Sequence, residues 1–288
     1  MTSIVVVGLG AIGSRVAALL AERGEHSVYV IDRDVVEQKN ILAQNFSEDM
    51  VGVPKADAIF ASLPQELAAS WRGSVAEVNA RTIAPLIGSP DVLLDCTDNL
   101  QTRFVIGEYC SREGIPWIHA AAVADRGNVM PIVGAPCFSC VFAEKGDGES
   151  CEASGIDPNI ASQVATLQVG LIDDVARRTA SAELIHIRKG DLPQYLAVSP
   201  RRGCAVCGGV YTSLARMPAK ARRICGGIYH FDCPLPFEMV RRRLDGRAVR
   251  VTDNAVYAED IVAFADGRVH VHADSLRDAQ SAFDIAFA

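Results

Sequence analysis

The chain has 288 residues, 49% hydrophobic and 22% charged, which suits a soluble globular protein with room for one large domain and a small appendage. Its formal net charge of -7 gives no support for a general affinity for nucleic acid or anionic lipid, and glycine or charge interrupts every apolar run well before membrane-spanning length. Neither nucleic acid nor membrane is therefore expected as a partner. Nine cysteines, an odd number, suggest reduced thiols and metal ligation rather than a disulfide framework. Met1 leads almost directly into an apolar strand, leaving no room for a signal peptide, so a cytoplasmic location is expected.

Residues 4–7 form a continuous apolar run ending in a glycine turn, as a buried parallel strand does. A helix is expected over 12–23, with Ile12, Val16, Leu19 and Leu20 on one stripe, and a second strand over 28–31 ends at Asp32. Then come a helix over 55–69, a strand over 75–79, a buried strand over 92–95, a helix over 99–113, and strands over 115–119 and 128–133. This alternation argues for an α/β fold, a doubly wound (Rossmann-like), mostly parallel sheet. The polar, glycine-rich stretch 145–150 reads as a mobile loop. A long, mostly apolar helix over 158–178 ends in Arg177 and Arg178, favourable charges at a helix C-terminus. Composition shifts near residue 208, and the chain is expected to divide into 1–211 and a small α+β unit over 212–288. That unit shows a basic helix over 237–244, a hairpin signal at Asp266 and Gly267, and a closing helix. After the hairpin, His270 and His272 alternate with Val269, Val271 and Ala273, and they read as an exposed strand face rather than a metal site.

Gly8, Gly10 and Gly13 sit between the first strand and first helix, where glycine permits a tight turn and close backbone approach to phosphate at a helix N-terminus. Asp32 closes the second strand about twenty residues on, where an acid can bind ribose hydroxyls. Alone, that fingerprint favours an NAD-dependent oxidoreductase. Lys55 changes the balance: opening a helix near the turn, it could neutralise a triphosphate, and Asp34 and Asp98 could hold Mg2+. Cys137 with Cys140 and Cys204 with Cys207 are two CxxC pairs, 64 residues apart, that suggest one tetrahedral structural zinc. A redox dithiol or two unrelated pairs are the alternatives. A closed four-thiolate site has no open position, so no catalysis by that metal is expected. Cys96 and Cys110 read as core residues, and His119, at the end of an apolar strand, as a satisfied core or site-edge histidine rather than a general base.

The ordered set of the glycine turn, Asp32 with Asp34 and Val36, Asn40, Gln44, Lys55 after Gly52-Val53-Pro54, and Asp95 to Asn99 resembles the ThiF/MoeB/HesA family, prokaryotic relatives of ubiquitin-activating enzymes. With both CxxC pairs the resemblance covers residues 4–210. It implies ATP and Mg2+ as cofactors, bound by Gly8, Gly10, Gly13, Asp32, Asp34, Asn40, Gln44, Lys55, Asp98 and Asn99, with Lys55 and Asp98 acting in the reaction. The implied reaction is adenylation of a carboxylate. The family precedent for that carboxylate is the C-terminal glycine of a ubiquitin-like sulfur-carrier protein ending in Gly-Gly. The resemblance also implies a closed structural Zn2+ and a homodimer, and it makes Cys151 a candidate for covalent linkage to the activated carrier, as a thiolate near a helix N-terminus. Alternatives are a small-molecule or peptide carboxylate, or a non-catalytic ATP-binding scaffold. Two departures stand out. Ala43 occupies a position where the family usually has a phosphate-binding arginine, and the sequence opens at its first strand without the family's arginine-bearing N-terminal helix. Arg15 or a partner chain is the expected replacement cation.

Overall fold

The structure, a computed structural model, describes residues 1–143, 155–216, 222–223 and 227–287. The stretch 145–150, Cys151 and Cys225 lie outside the described residues. Eight strands form the larger sheet: β1 (Ser3–Val7), β2 (Ser27–Asp32), β3 (Trp71–Val75), β4 (Val92–Asp95), β5 (Trp117–Val123), β6 (Arg126–Ile132), β7 (Glu183–Arg188) and β8 (Gln194–Ala197). Their spatial order is β3-β2-β1-β4-β5-β6-β7-β8. The strands from β3 to β5 pair in parallel, and β6, β7 and β8 add on antiparallel. The sheet is therefore mixed, with a doubly wound parallel half. The chain leaves β1 toward β2 and β3 and returns on the other side as β4, which opens a crevice at the carboxyl ends of β1, β2 and β4.

Alternation along each strand fills both faces. Ile4, Val6, Val28, Val30, Val92 and Leu94 pack on one side, against Val16 and Leu20 of α1 (Gly13–Arg23). Val5, Val7, Leu93 and Trp117 face the other, against Phe104, Val105 and Ile106. These three side chains come from α4 (Leu100–Glu113), which follows α2 (Lys55–Ala61) and α3 (Ile83–Ile87). Further along come α5 (Phe138–Val141), α6 (Pro158–Gly170), α7 (Ile172–Ala176) and α8 (Thr212–Ala215), the last held on α4 by the Leu214 N–H donating to Glu108.

Three expected elements differ. The helix beginning at Lys55 ends at Ala61, and residues 65–70 form a 3-10 turn, because Pro64 cannot continue an α-helix. The third strand is residues 71–75 rather than 75–79; its register runs from Val28 opposite Trp71 to Asp32 opposite Val75. It is an edge strand with Arg72 and Gly73 exposed, so it carries no apolar alternation to announce it. The helix expected over 158–178 divides at Leu171 into α6 and α7.

The C-terminal unit is a second, wholly antiparallel sheet: β9 (Arg222–Arg223), β10 (Ile228–Asp232), β11 (Arg250–Val251), β12 (Ala255–Ala258), β13 (Ile261–Phe264) and β14 (Arg268–His272), in the order β11-β12-β13-β14-β10-β9. The Asp266-Gly267 signal is the β13–β14 turn, with Gly267 at φ +89°. One face packs Ile261, Ala263, Val269 and Val271 under α9 (Phe237–Leu244) and α10 (Leu276–Phe287). The opposite face is covered too. Val262, Phe264 and Ala255 pack with Val35 of the first unit, and Arg268 donates to the carbonyls of Arg33 and Val75. The C-terminal sheet is docked on the crevice of the larger one.

Candidate nucleotide site and cysteine cluster

A cavity of about 410 Å³ lies at the crevice, within the size range of small-molecule sites. Gly8, Gly10, Asp32, Asp34, Asn40, Gln44, Lys55, Asp98 and Asn99, collected from five separate segments, all line it. Gly13 acts beneath it: a Cβ there would fall 1.9 Å from the Gly8 carbonyl oxygen, so only glycine lets α1 start so close to the turn. Gly10 differs, since its Cβ position meets nothing within 4 Å and opens on the cavity, leaving the main chain bare for a ligand.

The acids divide by task. Asp32 is 7% exposed, and its two carboxylate oxygens accept from the Leu9 and Asp34 N–H groups, which ties the glycine turn to β2. Burial pushes its carboxyl upward against the pull of Lys55. Asn40 is also buried and accepts from the Glu37 N–H through Oδ1, fixing the loop that follows β2. Asn99 caps α4 by accepting from Thr102 N–H at 2.8 Å. Asp98, next to that cap, is exposed. Asp34 stands between Arg33 at 3.6 Å, Lys55 at 3.9 Å and His270 at 3.9 Å. Burial raises its carboxyl, but Arg33, Lys55 and His270 outweigh it and hold it below the usual carboxylate range. Lys55 is 6% exposed at the first position of α2; burial would lower its ammonium, yet Asp32, Asp34 and Asp98 raise it. The lysine is charged and aimed into a pocket that contains more negative than positive groups, an arrangement suited to an anion accompanied by a cation.

Arg33, Arg103, His270 and His272 line the cavity too, and the sequence pattern assigns none of them to the site. Arg33 bridges Asp34 and Glu77 (3.1 Å), and burial of its guanidinium is outweighed by Asp34 and Asp98. Arg103 reaches back from the first turn of α4 to donate to the Thr97 carbonyl and stands 3.9 Å from Asp95. Its position four residues after Asn99 was the available signal, since side chains four apart share a helix face. His270 and His272 are the other two, and here the expectation of an exposed face is corrected: His270 is 3% exposed, His272 bonds Glu37 at 3.0 Å, and both line the cavity. Their alternation with valine is that of a strand, β14. The polar face, however, is covered by the nucleotide half of the molecule.

Arg15 is spent on structure. It donates to the carbonyls of Ala11 and Ala43 at 2.6 and 2.7 Å and to Ser162 at 3.1 Å, and it is absent from the cavity lining. Below the cavity, His119 is 1% exposed and bonds Asp95 at 2.8 Å, a satisfied core histidine as expected. Cys96 and Cys110 are buried, also as expected.

Cys137, Cys140, Cys204 and Cys207 come together, all four sulfurs within 4.8 Å of one another. Neighbouring sulfurs are separated by 3.4 to 3.8 Å. A tetrahedron with metal–sulfur bonds of about 2.3 Å has an edge of about 3.8 Å, so the cluster fits one thiophilic metal ion with little adjustment. Burial pushes the Cys137 thiol up, while hydrogen bonds from Cys207 and its neighbours outweigh burial and bring Cys204 down to about 7. Among the described residues, no helix is long and apolar enough to cross a membrane.

A model of the ThiF family matches residues 1–187. The sulfur carrier protein ThiS adenylyltransferase of Bacillus subtilis is 33% identical over 174 residues, covering 57% of this chain and 51% of that enzyme. The SAMP-activating enzyme E1 of Haloferax volcanii is 32% identical over 179 residues, 57% of this chain and 63% of that enzyme. The ThiS adenylyltransferase of Escherichia coli is 28% identical over 224 residues, 72% of this chain and 86% of that enzyme. The matched region thus spans between half and two thirds of the first two relatives. Among solved structures, that of E. coli MccB with ATP superimposes with a TM-score of 0.59 at 21% identity, covering 72% of this chain and 67% of that one; the likeness is one of fold.

Proposed function

The chain belongs to the ThiF family, and from that premise we propose that it is an ATP-dependent adenylyltransferase. The carboxylate of a substrate attacks the α-phosphorus of ATP; the new O–P bond forms as the α–β bridging bond breaks, giving an acyl-adenylate and pyrophosphate. No strong general base is required, because a carboxylate is already a nucleophile at neutral pH. The observation that carries this reading is the convergence of Gly10, Asp34, Asn40, Gln44, Lys55 and Asp98 on one cavity. Lys55 meets the charge that builds on the phosphates, in a pocket where such a contact is strong. Asp98 and Asp34 are the carboxylates that would hold Mg2+, which neutralises phosphate charge when bound. Arg33 and Arg103 line the same cavity and supply cationic character that Ala43 cannot.

The relatives named for ThiS and SAMP support a ubiquitin-like sulfur carrier as the substrate, with its C-terminal glycine as the acyl group. The four-cysteine cluster is read as a structural Zn2+ site holding α5, since a closed set of four thiolates leaves no position for substrate. Family resemblance supports a homodimer, and the free thiols among the described residues support the cytoplasm. Cys151 remains the candidate for covalent transfer.

The test is to incubate the protein with ATP, Mg2+ and purified carriers ending in Gly-Gly and to read the intact mass of each carrier. AMP linked to the full-length carrier, and absent from one lacking its last glycine, is the expected product. AMP appearing only on short peptides or small carboxylates would move the substrate to the small-molecule class.

A further inference from the structure

The C-terminal sheet is the least explained part of the molecule, yet Ile228, Val262, Phe264, His270 and His272 form part of the cavity lining. We propose that this sheet is the second wall of the nucleotide site, and that His270 is a ring N–H donor to the polyphosphate of a nucleoside triphosphate. The inference rests on the nucleotide-binding reading above.

Four observations carry it. His270 is 3% exposed and lines the cavity, yet neither ring nitrogen has a hydrogen-bond partner among the described residues; Asp34 Oδ1 lies 3.9 Å from Nδ1, beyond hydrogen-bond reach. Buried polar side chains are normally satisfied, so an unpartnered imidazole at the edge of a cavity points to a partner that the cavity admits. The Lys55 ammonium stands 3.9 Å from the other oxygen of the same Asp34 carboxylate, so the imidazole and the cation assigned to the phosphates share one carboxylate neighbour. The ring is also held in place, edge-on to Phe264 with centroids 5.0 Å apart and tilted against His230 at 5.6 Å. Finally, the wall is anchored. Arg268 bonds the carbonyls of Arg33 and Val75, and Asn254 bonds Asp57 at 2.9 Å. His272 serves differently: it pairs with Glu37, whose N–H is held by Asn40, so it positions the loop between β2 and α2.

The test is calorimetric titration of the full chain, with Mg2+, using α,β-methylene-ATP and separately AMP. For His270→Leu, binding of the triphosphate analogue should weaken by about tenfold while AMP binding changes much less, the size expected for one hydrogen bond to a charged group. His270→Gln, which keeps an N–H donor, should recover most of the loss. Unchanged analogue binding in folded His270→Leu, or equal losses for analogue and AMP, would overturn the assignment. Should the variants fold poorly, the wild type answers alone through the ring 15N resonances of its six histidines. The His270 signal should move with the analogue and stay with AMP, and a signal indifferent to both rejects the contact. A wild type that binds no adenine nucleotide would instead defeat the functional reading beneath it.

Discussion

The wall of the cavity built at the ends of β1, β2 and β4 works through main chain and glycine, whereas the wall built by β13 and β14 works through side chains held in place by docking. In the first, Gly8, Gly10 and Gly13 set how closely a ligand and a helix can approach. In the second, position depends on Arg268, Phe264 and Val262 pressing a separate sheet against the loop after β2. The first is local in sequence and intolerant of small steric changes. The second is assembled over more than 200 residues of intervening chain (Arg268 to Arg33, 235 positions apart) and is sensitive to the loss of single polar contacts.

The largest expected effect falls on the first wall. Gly13→Ala puts a methyl 1.9 Å from the Gly8 main-chain oxygen, so the backbone of the turn must shift to admit it. It should cost at least about 3 kcal/mol and produce a badly destabilised protein by thermal melt. Gly10→Ala should melt like the wild type, because nothing lies within 4 Å of its Cβ, but lose nucleotide affinity. Equal melting of the two variants would remove the distinction between a packing glycine and a ligand-facing one. The cysteine cluster, part of neither wall, is the control. With the metal proposed for it, treatment with a chelator or Cys204→Ser should lower Tm by on the order of 10 °C. Activity per folded molecule should hold, and a loss of activity without a change in Tm would give the metal another role.

A smaller effect is expected at the second wall. Arg268→Ala leaves the Arg33 and Val75 carbonyls without their guanidinium donors and should cost about 1–3 kcal/mol in urea unfolding. It should also weaken nucleotide binding, and loss of stability with intact affinity would separate the sheet from the site. The smallest effect tests the floor the two walls share. Burial lowers the His119 imidazole despite its bond to Asp95, so the unfolded chain takes up that proton first as pH falls. Stability should decline as pH drops below about 6.5, the ordinary histidine value; the buried His270 imidazole, which burial also lowers, adds to that decline, so His119→Gln should make it shallower without removing it. A wild-type profile level from pH 7 to 5 would contradict it.

The difference between the walls also explains what could be read in advance. A glycine turn, Lys55 at a helix start and two CxxC pairs are set by local geometry, so their spacing survives in the sequence and the fold gathers them as expected. The polar edge strand β3 carries no apolar pattern, and Pro64 is the local stop that ends the helix begun at Lys55. At β14 the alternation of valine and histidine says which side chains share a face but not what covers it, so from sequence His270 reads as a surface residue. Asp32 and Asn40 carry a structural task that only the hydrogen bonds of the folded loop reveal.

The measurement that bears most directly on the central claim is ATP–pyrophosphate exchange, with a panel of carriers ending in Gly-Gly, for the wild type and Asp98→Ala. Carrier-dependent exchange that falls by about a hundredfold or more in the variant is the predicted result. Tight ATP binding without exchange, for every carrier and small carboxylate offered, would contradict it and leave a nucleotide-binding scaffold.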